Sequence, residues 1–143
     1  MLVPITAATA SAVTIIGRAA RRLLTAEGGI QVGDVEGALA ASYDAYRMAA
    51  EALLIRQGLR ATGGDGSHVA VEDAVSAQYA RSIPGFAKPT FERLRRTRHA
   101  AQYFDPSSAE ISAEDSAWAL STARTVVEAV GGLLAADPPD LFE

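Results

Sequence analysis

The chain has 143 residues, 49% hydrophobic and 21% charged, with a formal net charge of −4 and no cysteine. That length suits one domain with its own core, and the mixture of apolar and charged side chains excludes both a disordered chain and a membrane protein. The lack of cysteine removes thiolate zinc sites, thiol catalysis and disulfides, and agrees with a cytoplasmic location. A negative overall charge means that any nucleic-acid partner must meet a local basic patch.

The opening stretch, MLVPITAATASAVTIIG, carries no Lys or Arg ahead of its apolar residues, because Arg18, Arg21 and Arg22 follow it. It therefore reads as neither an export signal nor a bilayer span, which needs about 20 apolar residues. A helix over 7–26, packed on the rest and stopped at Gly28-Gly29, is the expectation. From Asp34, a good N-cap type, to residue 60 the apolar positions Val35, Leu39, Tyr43, Tyr46, Ala50, Leu53 and Leu54 recur at helical spacing, which predicts a long amphipathic helix. After the loop ATGGDGS a shorter helix is expected over 69–79. Another follows over 90–103, with Pro89 at its start.

The sequence DPSS at 105–108 closes that helix. The last one starts at Ser112, where Ser112-x-x-Asp115 is a variant of the capping box. It continues through Ala119, Ala123, Val126, Val127, Val130, Leu133 and Leu134 to a Pro-rich tail over 137–143. No segment alternates as a strand does. The fold class is therefore all-α, an up-and-down antiparallel bundle of about five helices in a single domain over 1–143.

The candidate chemistry lies in RLRRTRHAAQYFD, where Arg93, Arg95, Arg96 and Arg98 outnumber Glu92 and Asp105. Residues on a helix advance by about 100°, so Arg95, His99 and Tyr103 form a stripe about 80° wide. Arg96 and Gln102 flank that stripe, and Phe91, Leu94, Ala101 and Phe104 only partly provide the apolar face a bundle helix needs, so the polar stripe is larger than solvation alone requires. On a structural reading the arginines are solvated or paired with Glu72-Asp73 or Glu114-Asp115. His99 is then a surface or interface hydrogen-bonding group, Tyr43 and Tyr46 are core or interface aromatics, and Trp118 and Phe104 are packing residues. On a chemical reading, an imidazole with a pKa near ~6.5 exchanges protons at neutral pH and guanidinium forks hold phosphate. Gly63-Gly64-Asp65-Gly66 lacks the Lys of a phosphate loop. His68 and His99 are the only histidines, so no metal site and no cofactor are expected.

The segments YDAYRMAAEALLIRQG, RLRRTRHAAQYFD and SAEDSAWALSTARTVVEAV resemble the HEPN family over most of the chain after Asp34. The family's signature is an Arg, then Asn, Asp or His, and a His after four to six intervening residues. Arg98 and His99 match its first two positions, and Tyr103 stands where the final His is expected. Arg93 paired with His99 satisfies the spacing as a second alignment, although the two lie about 120° apart on an ideal helix.

The resemblance implies a homodimer whose motif helices face a shared cleft and, in active members, a metal-independent ribonuclease. In those members the His assists proton transfer at the ribose 2′-hydroxyl and the Arg steadies the phosphate. It nominates Arg98, His99 and Tyr103 as catalytic, and Arg95, Arg96 and Gln102 as RNA- or phosphate-binding. It further implies RNA or a nucleotide as partner, a toxin-antitoxin or defence role, and a nucleotidyltransferase-type partner for which Tyr103 is a candidate acceptor. Tyrosine, with a pKa near ~10, is a poor base at neutral pH. The same stripe therefore also fits a non-catalytic helical dimerisation module or a small-anion or nucleotide-binding module.

Overall fold

The computed structural model describes residues 2–4, 8–61, 67–107 and 109–136. Five α-helices account for most of them: α1 (Ala8–Val32), α2 (Val35–Arg56), α3 (Ser67–Tyr79), α4 (Lys88–Gln102) and α5 (Ala113–Ala136), with one 3-10 turn at Pro84–Phe86. The chain is the expected all-α bundle. It adds one non-helical feature, an antiparallel ladder of β1 (Leu2–Pro4) and β2 (Leu59–Ala61), with Val3 opposite Arg60. Three residues per strand are too few for alternation to be visible in the sequence. The loop at 62–66 and the tail at 137–143 lie outside the described residues.

Helix α1 runs past the Gly28-Gly29 pair that suggested its end, and the reason lies in packing. A Cβ on Gly29 would sit 3.1 Å from the Cβ and the backbone N of Ala38. Gly29 therefore lets α1 approach α2 closely, and that contact offsets its low helix propensity. The true stop is Gly33, in the left-handed region at φ +81. The Gly33 N–H donates to Ile30 O (3.2 Å) and the Asp34 N–H to Gly29 O (2.8 Å), the paired bonds of a Schellman ending.

Asp34 then starts the next helix. Its Oδ1 accepts from the Gly37 N–H at 2.9 Å, and the missing side chain of Gly37 leaves room for the carboxylate, whose Oδ2 lies 2.1 Å from where a Cβ would stand. At α5 the expected capping box closes reciprocally. The Ser112 N–H donates to Asp115 Oδ2 (3.0 Å), and the Asp115 N–H donates to Ser112 Oγ (3.1 Å).

Helix α2 is central. Eleven of its residues are buried, among them Leu39, Ala45, Tyr46, Ala49, Leu53 and Leu54, a distribution too wide for a one-sided surface helix. Its many alanines allow neighbours on several sides at short range. Ser116 Oγ of α5 donates to Val35 O at 2.5 Å, and Glu27 of α1 pairs with Arg124 of α5. Helix α5 is long and apolar enough to cross a bilayer by length and composition alone. In the bundle its face of Ala119, Ala123, Val126, Val130 and Leu134 is buried within one apolar cluster shared by all five helices.

An aromatic cluster seats α4. Tyr46 lies 5.4 Å from Phe86 and 4.9 Å from Phe91, ring centroid to centroid, and its hydroxyl donates to Gly85 O. Gly85 must lack a side chain, because a Cβ there would meet Val126 Cγ1 at 2.6 Å. Of the fifteen residues of α4 only Phe91 and Leu94 are buried. Phe91 packs on Tyr46 while Arg98, two turns on, lies over Tyr43. Helix α4 therefore runs antiparallel to α2 and lays its polar residues along it.

Candidate functional site

Between α2 and α4 lies an open groove of about 320 Å³, lined by Tyr43, Asp44 and Arg47 from α2 and by Arg95, Arg98, His99 and Gln102 from α4. Four residues nominated by sequence, Arg95, Arg98, His99 and Gln102, therefore share one wall. The other two do not line this groove, although Arg96 shares another concavity with Glu92, Arg95 and His99. Arg96 and Tyr103 line a second pocket on the far side of His99, and His99 borders both.

The three guanidinium groups of the groove differ in what already holds them. Arg47 pairs with Glu51 one turn away on α2, at 3.0 Å. Arg95 pairs with Glu72 of α3, a buried carboxylate with 8% of its surface exposed. That hydrogen bond raises the Arg95 pKa further above its ordinary value, so Arg95 is committed to closing a buried charge. This is the pairing of arginine with the acid-rich segment at Glu72 that the sequence allowed; Asp73 instead pairs with Lys88 at 2.7 Å.

Arg98 is different. Its Nη1 donates to the neutral Gln102 Oε1 at 2.6 Å and its guanidinium lies 5.4 Å from the centre of the Tyr43 ring. Its Nε is buried with no hydrogen-bond partner among the described residues. An N–H shielded from water and left without an acceptor is costly, so this rotamer of Arg98 is not fully satisfied by the groups around it.

Tyr43 forms the floor. Burial pushes its pKa above 10.0; Arg47 opposes the shift, Glu72 reinforces it, and Arg98 and Arg95 oppose it more weakly. The phenol is therefore neutral near pH 7, able to donate a hydrogen bond and to carry the cation on its ring face. The structural reading placed Tyr43 with Tyr46 among core or interface aromatics. Tyr46 is core, whereas Tyr43 is half-buried and faces the groove. Asp44 and Arg47 were not nominated either. Their visible signal is the run Tyr43-Asp44-x-x-Arg47 within an otherwise Ala-rich helix, where Tyr43 and Arg47 are one turn apart on the same face.

The stripe of Arg95, His99 and Tyr103 is divided at the helix end, with Arg95 on the groove and Tyr103 on the second pocket. Gln102 is the last helical residue, and Tyr103 is the C-cap with extended backbone, its N–H bonded to His99 O at 3.0 Å. Its ring still stacks at an angle on His99, with centroids 4.6 Å apart. Arg93 points elsewhere, its guanidinium 3.6 Å over the ring of Trp118, so the second alignment joins His99 to an arginine outside the groove. Trp118 packs as expected, partly buried against the core. Phe104 does not: it follows the helix end and is 84% exposed, because the apolar face of α4 ends at Ala101. Among the described residues no three His, Cys, Asp or Glu side chains converge as a metal site would require.

A family model of the HEPN domain matches residues 12–133 of this chain. No curated protein and no solved structure matches it.

Proposed function

Because the chain belongs to the HEPN domain family, matched from α1 to near the end of α5, we propose that it binds RNA through the groove between α2 and α4. The observation that carries this reading is Arg98, a guanidinium held by neutral groups in a basic groove, with a buried Nε that lacks an acceptor. Turned toward the groove, the Arg98 side chain would give a backbone phosphate that N–H and an Nη in a charge-assisted fork. Gln102 and the Tyr43 hydroxyl stand beside it to bond the sugar or a second phosphate oxygen.

In its cleaving form the same reading gives a metal-independent ribonuclease. His99 takes the proton of a ribose 2′-hydroxyl, the 2′-oxygen bonds to phosphorus, and the 5′-oxygen leaves with a proton. Each chain offers a single groove imidazole, so the second proton transfer falls to Tyr103 or to His99 of another copy across a homodimer cleft. A toxin-antitoxin or defence role belongs to this proposal. Tyr103, 57% exposed, is then an acceptor that a nucleotidyltransferase can reach, and an adduct on Tyr103 after coexpression with such a partner is the expected result. Modification elsewhere, or none, removes that role.

The test is incubation of a mixed RNA pool with the purified protein in EDTA, with Arg98→Ala and His99→Ala in parallel, scoring both retention and cleavage. Binding lost in Arg98→Ala and cleavage lost in His99→Ala support the ribonuclease. Binding lost in Arg98→Ala with no cleavage by any variant leaves the non-catalytic module, favoured by Tyr103 in place of the signature His. Absence of binding by the unaltered protein rejects the proposal.

A further inference from the structure

The second pocket, about 470 Å³ in volume, is built differently from the groove that adjoins it at His99. Arg96 and His99 of α4, Glu36 at the start of α2, and Tyr103, Phe104 and Ile111 around the α4–α5 connection line it. Phe104 is 84% exposed and Tyr103 57%. The Phe104 ring is left almost wholly in water, while Tyr103 keeps its ring against His99.

The charge balance also differs. In the groove three arginines stand with Asp44, two of them already paired with Glu51 and Glu72, whereas Glu36, Asp105 and Glu110 line this pocket with a single arginine, Arg96, and Asp105 is already accepting from the Ser107 N–H and hydroxyl. Carboxylates repel a phosphate, but they accept hydrogen bonds from the amino and imino N–H groups of a base edge.

We propose that this pocket is a nucleobase subsite: a single strand that places a phosphate on Arg98 turns past His99 and stacks its next base on the exposed ring of Phe104. The inference rests on the RNA reading above and adds a substrate class to it. Stacking needs a base free of its duplex, since paired bases are already stacked within the helix. The substrate is therefore single-stranded. Glu36 and Glu110 add a preference among bases. Guanine presents an imino and an amino donor side by side to a carboxylate, whereas uracil sets one N–H between two carbonyls that the carboxylates repel.

Fluorescence anisotropy on a short oligouridine, on the same strand with one guanosine, and on a duplex of equal length tests the proposal. The proteins compared are the unaltered chain, Phe104→Ala, the double variant Glu36→Gln/Glu110→Gln, and Arg98→Ala as reference. Phe104 lies outside the core, so its removal leaves the fold intact. The expected results are roughly tenfold tighter binding of the guanosine strand than of oligouridine, about a tenfold loss in Phe104→Ala, and loss of base preference in the double variant. The duplex should compete poorly.

Unchanged single-strand affinity in Phe104→Ala, while Arg98→Ala still abolishes binding, overturns the subsite and leaves the phosphate groove standing. Phe104→Ala that dissociates a dimer with RNA affinity intact assigns the ring to a second copy and also overturns it. If no strand binds at all, titration of guanosine alone, followed by nuclear magnetic resonance, decides. Shifts at Phe104 and Tyr103 support a base pocket without the RNA reading, and no shifts remove both.

Discussion

Helices α4 and α5 are consecutive in the chain, and each borders α2, yet they spend their residues in opposite ways. Helix α5 buries eight positions, from Ser116 to Leu134. Helix α4 buries two and turns arginine, histidine and glutamine toward a groove. A helix anchored by only Phe91 and Leu94 is held by little apolar area, and its remaining surface is free to bind. The contrast separates what keeps the molecule folded from what it offers a partner, and substitutions in the two helices should fail in different assays.

The largest expected effect lies on the α5 side. Leu120→Ala removes a buried side chain and costs about 3 kcal/mol of folding stability, measured by urea unfolding, while RNA affinity per folded molecule stays unchanged. On the α4 side, Arg98→Ala should reverse that pattern. RNA affinity falls at least about tenfold, whereas stability moves by no more than about 0.5 kcal/mol, because no described carboxylate depends on Arg98. A comparable loss of stability in Arg98→Ala would erase the distinction between the helices. Ser112→Ala sharpens it at smaller scale: loss of the cap bond to the Asp115 N–H costs about 1 kcal/mol, read from the same unfolding curves, and should not alter binding.

The smallest effect at neutral pH is the tyrosines' titration. Burial raises the pKa values of Tyr43 and Tyr46 above the ordinary 10.0. The folded state therefore keeps protons that the unfolded state releases. The stability this contributes is fully present below about pH 10 and is lost as pH rises beyond it. Alkaline unfolding followed by tyrosine ultraviolet absorbance should begin above that value, and the slope should flatten in Tyr43→Phe. An unchanged slope would mean that the phenol is hydrated.

Features encoded by neighbours in the chain were legible in advance. Asp34 and the Ser112–Asp115 box needed only residues three positions apart, and both caps form as read. The failures share a non-local cause. Gly28-Gly29 has low helix propensity, yet Gly29 lies against Ala38 and the helix continues to Gly33. The β1–β2 ladder joins segments more than fifty residues apart with three residues each. In the site, periodicity put Arg95 and His99 in one stripe with Gln102 beside it, and the resemblance added Arg98, but both were silent about the opposite wall. Tyr43 and Arg47 face the groove because of how α2 docks, which its own spacing does not encode. Phe104 was misread because the apolar face was extended one turn beyond the point where the helix ends.

The central claim is that Arg98 in the α2–α4 groove binds an RNA phosphate, and the salt dependence of RNA affinity tests it most directly. Each phosphate contact releases counterions, so log K plotted against log salt falls linearly, and removing one contact reduces the slope by about one. The account predicts that Arg98→Ala has weaker binding and a slope shallower by about that amount than the unaltered protein. An identical slope in the two proteins would contradict it.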